Sequence, residues 1–327
     1  MRATPLASSA VLIALALLAA GCGGGSGGTD DGAATRTAEI RGGSVEVPAD
    51  PKRIAVLWRP GVAAVTGLGE KPVAAIGDPG RDDLSLTPYL PKDYPVEDIK
   101  LVTNSPQEHD VNIEELAAAA PDLIIGADTT AGTQAELLPK LEEIAPTALI
   151  RWTGPTEWRD YITDVGAVLG EEKGAAKMLA DYDDALAETK DAIGDPGDVS
   201  VSLLRLQSEN EVRFETQASF PGEILRELGF TRPKSQRGDD VDQPFVPESY
   251  ENLAEGDADM VFVFHNQEYK DAPTQFSDGL WRDLDAVRNK KIYSVDYEYW
   301  GSAGYYGAVR VLDDIRAAVD GELEPAV

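Results

Sequence analysis

Residues 113–125 read IEELAAAAPDLII, and residues 250–262 read YENLAEGDADMVF. At a constant offset of 137, Glu114 falls on Glu251, Leu116 on Leu253, Ala117 on Ala254 and Asp122 on Asp259. Each copy is a short amphipathic turn followed by an apolar run, the pattern of one helix-turn-strand unit. A chain that writes this unit twice, so far apart, is constrained to build two related halves.

The segments around each copy support that reading. Residues 53–57 (RIAVL) follow Pro51 and read as a buried strand, and residues 73–76 as a second strand closed by GDPG. Residues 61–68 are helix-like. Asn112 is an N-cap for a helix over residues 113–120 that Pro121 stops, and residues 123–125 follow as a strand. Residues 136–145 read as helix and 147–150 as strand. After Pro196 the same grammar restarts. Strands are expected at residues 199–204, 260–264 and 291–295, with helices at 220–228, 280–286 and 303–319. Strands alternating with helices at this pitch predict a mainly parallel sheet wrapped by helices in each half.

Between the halves, Trp158, Tyr161, Ile162, Val165, Val168, Leu169, Ala176, Leu179, Tyr182 and Leu186 keep one apolar stripe at helical spacing. Gly170 and Gly174 are candidate kinks. A helix over residues 157–193 would reach roughly 50 Å at 1.5 Å per residue, enough to join two lobes. The expected fold is therefore α/β: two lobes, each a central mainly parallel sheet flanked by helices, joined by a single long backbone helix, with a ligand cleft between them. One helical bridge predicts a rigid clamp with a small closing motion.

The N-terminus sets the compartment. A basic start at Arg2 precedes an apolar run over residues 7–20 that is short for a bilayer span and ends in small residues, as a secretory signal does. It closes on AAGC, where Cys22 is the chain's only cysteine. This resembles a bacterial lipobox whose cysteine is lipidated, although Ala19 stands where leucine is usual. The alternative is a stray thiol beside a soluble-secretion site. The glycine-rich stretch that follows has no apolar periodicity and reads as a flexible tether. The expected boundaries are a lipoprotein signal peptide at 1–21, lipidated Cys22 and tether at 22–37, an N-terminal lobe at 38–155, a connecting helix at 156–195 and a C-terminal lobe at 196–327.

The formal net charge is −29. Such a chain will not bind nucleic acid or an anionic membrane surface through its field, so the membrane is reached through the lipid alone. Solubility explains the charge, and a neutral or cationic ligand suits it.

From about residue 43 to 321 the chain resembles class III periplasmic-type solute-binding proteins, the helical-backbone lipoproteins of ABC importers. The likeness is carried in order by SVEVPADPKRIAVL, GLGEKPVAAIG, NIEELAAAAPDLIIG, LPKLEEIAPT, VRFETQASFPGEILRELG, SYENLAEGDADMVFV, LWRDLDAVRNKKIYSVD and YWGSAGYYGAVRVLDDI. The spacing around Trp58, Trp300 and VRVLDDI is most similar to the iron-siderophore receptors. The resemblance implies a monomer, lipid-anchored on the extracytoplasmic face of the cell membrane, that captures a ferric siderophore for a permease dimer. A haem or cobalamin receptor of the same family is the alternative. It also implies that Glu114 and Glu251, one per lobe, dock on the permease, where a two-fold partner would see the same feature twice. Complementing its own helix dipole is the other role open to each glutamate.

Ligands of open α/β sheets bind beyond the carboxyl ends of the strands. Reading the residues after each expected strand gives Trp58, Arg59, Arg81, Thr129, Arg205, Arg213, His265, Asn266, Tyr299, Trp300, Tyr305 and Tyr306 as ligand-binding candidates. Aromatic faces with arginine suit a large flat chelate with a polar rim. A tryptophan is more often core than ligand, but the resemblance puts Trp58 and Trp300 at cleft-lining positions, one on each lobe. His265 reads as a satisfied loop histidine, or as an axial haem ligand or hydrogen-bond donor. His109 and His265 are too far apart for a metal spacing, so no metal site or cofactor is expected and iron would arrive held by its chelator. The acidic balance points to a hydroxamate chelate of ferrioxamine type. Enzyme motifs (GxSxG, HExxH, a P-loop, dinucleotide GxGxxG) are absent, and the paired acids read as solvated charge, so catalysis is not expected. A surface module that only contacts proteins is the remaining rival.

Overall fold

A computed structural model describes residues 34–77, 86–103, 110–237, 243–265 and 276–327. The signal peptide, Cys22, Arg81, His109 and Asn266 lie outside the described residues. The N-terminal half opens on an antiparallel hairpin, β1 (Thr35–Ile40) with β2 (Gly43–Pro48). There follow β3 (Ile54–Val56), α1 (Arg59–Gly67), β4 (Pro72–Ala75), β5 (Lys100–Leu101), α2 (Ile113–Ala118), β6 (Leu123–Thr129), α3 (Thr133–Glu142) and β7 (Thr147–Trp152). Strands β3 to β7 form an all-parallel sheet in the order β5-β4-β3-β6-β7.

Two helices, α4 (Trp158–Leu169) and α5 (Glu172–Ile193), lead to the C-terminal half. This half contains β8 (Val201–Leu206), β9 (Val212–Glu215), α6 (Phe220–Leu228), β10 (Phe245–Glu248), β11 (Met260–His265), α7 (Asp285–Arg288), β12 (Ile292–Asp296), α8 (Tyr297–Trp300) and α9 (Tyr305–Asp320). Its sheet runs β10-β9-β8-β11-β12, parallel among β8, β11 and β12 and antiparallel at β9 and β10. The α/β class with two sheets flanked by helices is as the sequence predicts.

The repeat is a repeated way of starting strands. Asp122, just before β6, accepts the backbone N–H groups of Lys52 and Arg53 at 2.8 and 2.9 Å, at the entrance to β3. Asp259, just before β11, accepts the Ser200 N–H and O–H at 2.8 and 2.7 Å, at the entrance to β8. Each aspartate thus pins the register of two neighbouring parallel strands. Leu116 and Leu253 are buried beneath, and Asn112 and Ser249 cap the helical turn that precedes each strand. The copies differ in one respect: the first turn is α-helical, the second a 3₁₀ helix over Tyr250–Gly256.

Three expectations are corrected. Ordered structure starts before residue 38, because residues 35–37 of the expected tether are the first half of β1. Arg36 on that strand donates to the Ala167 and Val168 carbonyls at 2.9 and 2.5 Å, satisfying the C-terminal end of α4. The connector is not one rod. Gly170 adopts φ +74°, a left-handed cap that closes α4, and the chain restarts as α5. α4 packs on α1, β1 and β7 of the first half, so only α5 is the bridge, at about 33 Å. Residues 280–286 do not make one helix either; a 3₁₀ turn at Trp281–Asp283 precedes the four-residue α7.

Core side chains sort by sheet face. One continuous apolar cluster joins Ile54, Val56, Ile125 and Ile150 of the first sheet, through α1, α4, α5, α6 and α9, to Val201, Leu203, Phe262 and Val295 of the second. The opposite faces hold two smaller clusters, one per sheet. Alternation along each strand assigns its residues to these layers.

Asp122→Ala and Asp259→Ala should each lower the unfolding free energy in urea by about 1 kcal/mol, the net worth of a solvent-accessible hydrogen-bonded cap. Ser200 holds the Asp259 carboxyl below its ordinary value. That stabilisation is complete above the ordinary carboxylate range and is lost as pH falls through the lowered value. The Asp259→Ala penalty should therefore shrink between pH 7 and about pH 3; an undiminished penalty would count against the cap.

Candidate functional site

The carboxyl ends of the parallel strands in both halves meet at a groove of about 230 Å³. Trp58, Arg59, Tyr89, Trp152 and Pro155 line it from the first half, and Tyr297, Glu298 and Ser302 from the second. Trp58 stands two residues after the end of β3 and is the extended N-cap residue of α1, with Pro60 in the first turn. Its ring meets Trp152 edge-on at 5.5 Å, and Trp152 meets Tyr161 of α4 at 5.6 Å. Tyr161 is anchored in turn by donating to the Gly126 carbonyl at 2.9 Å. The result is a braced aromatic wall on which Trp58 is 8% exposed. Arg59 lies over the Tyr89 ring at 5.5 Å, and burial pushes the Tyr89 hydroxyl up to about 12.

The second half answers with an aromatic on α8 and arginines on β8 and β9. The Arg205 guanidinium stacks on Tyr297 at 4.0 Å, and Tyr297 lines the groove. Arg205 on β8 is directly opposite Arg213 on β9. Arg213 is drawn to Glu211 at 3.1 Å and lies over the Phe245 ring at 4.1 Å. Among the described residues Arg205 has no ion pair. Its planar donors sit half-buried beside the groove, an arrangement that suits carboxylate or other anionic oxygens.

Trp300 is corrected. It is 0% exposed, stacked on Phe262 at 4.9 Å, and its Nε1 donates to Asp314 at 2.9 Å. The protein covers its ring completely. Tyr297, at the other end of α8, holds the place facing Trp58's lobe. Tyr299, Tyr305 and Tyr306 also fall outside the groove lining. Tyr299 lies under Arg310 at 5.2 Å. Tyr305 and Tyr306 meet edge-on at 5.3 Å. Burial raises both hydroxyls; Tyr305 also feels Asp181 of α5, and Tyr306 faces Thr66 of α1.

Thr129 is half-buried at the end of β6, paired in register with Trp152 at the rim. His265 ends β11 beside Asp296, its Nε2 3.0 Å from the Ser294 hydroxyl. Tyr89 and Trp152 are the residues that strand-end reasoning missed, whereas Tyr297, directly after β12, is one that such reasoning picks out. Trp152 was within its reach, because β7 runs two residues past the expected strand end. Tyr89 stands in a 3₁₀ turn with no strand before it to mark it. Among the described residues no group of three histidine, cysteine or acidic side chains could hold a metal ion. No helix there is long and apolar enough to cross a membrane.

Since Trp300 is structural, Trp300→Phe should cost about 1–2 kcal/mol in thermal or urea unfolding through the lost bond to buried Asp314. Trp58→Phe should cost less, because its ring lies at the groove surface. The reverse order would restore Trp300 as a surface residue.

A family model described as periplasmic binding protein matches residues 79–299. The chain is 33% identical over 300 residues to the probable siderophore-binding lipoprotein YfiY of Bacillus subtilis, covering 86% of this chain and 87% of that one. It is 31% identical over 211 residues to the ferric enterobactin-binding periplasmic protein FepB of Escherichia coli, covering 62% and 65%. The crystal structure of Staphylococcus aureus SirA complexed with staphyloferrin B superposes with a TM-score of 0.71 at 26% identity, over 88% of this chain and 99% of that one. These are substrate-binding proteins and not catalysts. The chain belongs to the periplasmic binding protein family, in its class III siderophore-binding branch.

Proposed function

We propose that this protein captures a ferric siderophore in the groove between its two sheets and delivers it to an ABC importer for iron uptake. The observation that carries the reading is the groove itself: aromatic walls from both halves, with Arg205 stacked half-buried beside it. A cavity of about 230 Å³ falls below the usual range for enclosing a drug-sized ligand, so it would grip one face or arm of a chelate and leave the rest open. Iron would come with its own ligands.

The class of chelate follows from local charge. The net charge of −29 favours a neutral or cationic hydroxamate, as the composition suggests. Arg59, Arg205 and Arg213 favour a chelate with anionic oxygens, and charges within a few ångströms outweigh distant ones screened over about 8 Å. The anionic chelate is therefore the better-supported reading. The protein is anchored through lipidated Cys22 on the extracytoplasmic face, works as a monomer, and docks on a permease dimer through Glu114 and Glu251. Both glutamates are exposed, each in the first turn of its capped helical segment.

Intrinsic fluorescence titrations with ferric enterobactin, ferrioxamine B, haem and cobalamin test the ligand. Ferric enterobactin should quench most tightly, and Arg205→Ala should weaken it about tenfold or more. Tight binding of haem or cobalamin alone would overturn the assignment. For docking, the Glu114→Ala/Glu251→Ala double variant should bind the chelate as the parent does yet fail to support radio-iron uptake by iron-starved cells. Normal uptake would dismiss the docking role.

A further inference from the structure

Glu215 ends β9 two residues after Arg213, so the two side chains leave the same face of the sheet, and Arg205 stands across from Arg213 on that face. Three charged groups thus share one face of the second sheet, and Arg205 links that face to the groove by stacking on Tyr297. Glu215 is 6% exposed. A carboxylate is rarely buried so deeply without a paired cation, yet none lies within ion-pair distance of it among the described residues.

Its surroundings are asymmetric. Arg205 faces it from β8, Arg213 from its own strand, and Arg232 from the segment after α6. Arg232 is buried as well, and spends Nη2 on the Glu215 carbonyl at 2.7 Å and on Gln236 Oε1 at 2.5 Å. Its Nε and Nη1 make no hydrogen bond. Ser219, the N-cap of α6, faces the Glu215 carboxyl while its hydroxyl donates to the Thr216 carbonyl at 2.7 Å, and Glu223 is turned towards Arg159 and Arg226. β10 offers Phe245 as the register partner of Glu215, with its own Glu248 bound to Asn252. Glu211, the residue just before β9, takes Arg213.

We infer that Glu215 is a specificity-determining residue: its carboxyl sets the net charge of the Arg205–Arg213 pair and so selects the charge of the chelate that the groove accepts. Ionised, it offsets part of the arginine charge and repels an anionic ligand. Protonated, it leaves more of the arginine charge to grip one. Burial pushes this carboxyl up to about 7, against the lowering pull of the three arginines, so both forms are reached near neutrality. An anionic chelate that neutralises Arg205 and Arg213 removes part of that pull and raises the carboxyl further. Binding then takes up a proton, and affinity for the anion rises as pH falls.

This inference rests on the ferric-siderophore reading, and the experiment separates the two. Ferric enterobactin and ferrioxamine B are titrated into the parent protein and Glu215→Gln at pH 6, 7 and 8. The parent should bind ferric enterobactin more tightly as pH falls, by up to about tenfold per unit, the limit for one linked proton. Glu215→Gln should hold the tight limb at all three values and prefer the anionic chelate more strongly at pH 8. Equal pH profiles in parent and variant, with both binding, would overturn the role of Glu215 and leave siderophore capture standing. Failure of the parent to bind either chelate would overturn both. Should the variant not fold, calorimetry of the parent at pH 7.5 in two buffers of different ionisation enthalpy decides. Proton uptake with ferric enterobactin that persists in His265→Gln supports the role, and none refutes it.

Discussion

Everything about the groove depends on how the two sheets are held at a fixed distance, and that distance is set at Trp158. This residue starts α4, on the first half, and is 1% exposed. Its ring meets Tyr182 of α5 edge-on at 5.0 Å and Phe220 of α6 at 6.2 Å. The next residue, Arg159, lies over both the Trp158 and Tyr182 rings at 4.5 and 4.7 Å and pairs with Glu227 of α6 at 2.7 Å. Tyr182 also donates to Glu227 at 3.2 Å. One aromatic and one arginine thus tie the first half, the bridge and the second half together. A swing that parted α4 from α6 would uncover a large ring, at about 2 kcal/mol or more. It would also strand the half-buried Glu223, whose carboxyl burial already raises, without Arg159. Only small closing motions avoid both costs.

With the spacing fixed, sheet topology decides what each half contributes. Parallel strands gather their carboxyl ends at one edge, which is how Trp58 and Trp152 come to stand side by side after β3 and at the end of β7. The second sheet keeps that arrangement for β8, β11 and β12 and then adds two antiparallel strands. The antiparallel β9 places Arg213 opposite Arg205 and Glu215 beside them, a grouping that a purely parallel sheet of this chain would not produce. The aromatic wall and the charged rim therefore have separate structural origins.

Much of this was legible in the sequence, and the failures have identifiable causes. α6 has the bounds its periodicity predicts, because Ser219 caps it and Gly229 ends it in the left-handed region. The repeat was legible as two halves, yet its reason was not. A strand-pinning aspartate acts on residues 59 to 70 positions away, and no local pattern reveals such a bond. The single connecting helix was over-read because the apolar stripe continues across Gly170 even though the backbone does not. β10 was missed as a strand, being four residues and without clear alternation, whereas Arg213 was expected on an extended run, which is β9. The buried state of Glu215 was invisible, since composition makes every glutamate of so acidic a chain look solvated.

Trp300 was misplaced for a reason that says something about the site. Following a strand directs a residue to the cleft only if the chain continues extended, and here Asp296 caps a single helical turn that points successive side chains in different directions. Tyr297 takes the outward position and Trp300 the inward one. The indole then bonds to Asp314 of α9, which Arg310 also holds at 2.7 Å, so α8 is locked to the closing helix by a buried, fully partnered carboxylate. Tyr297 can face the groove and carry Arg205 on its ring because Trp300 fixes the turn from below. The tryptophan expected to touch the ligand instead positions the tyrosine that lines the groove.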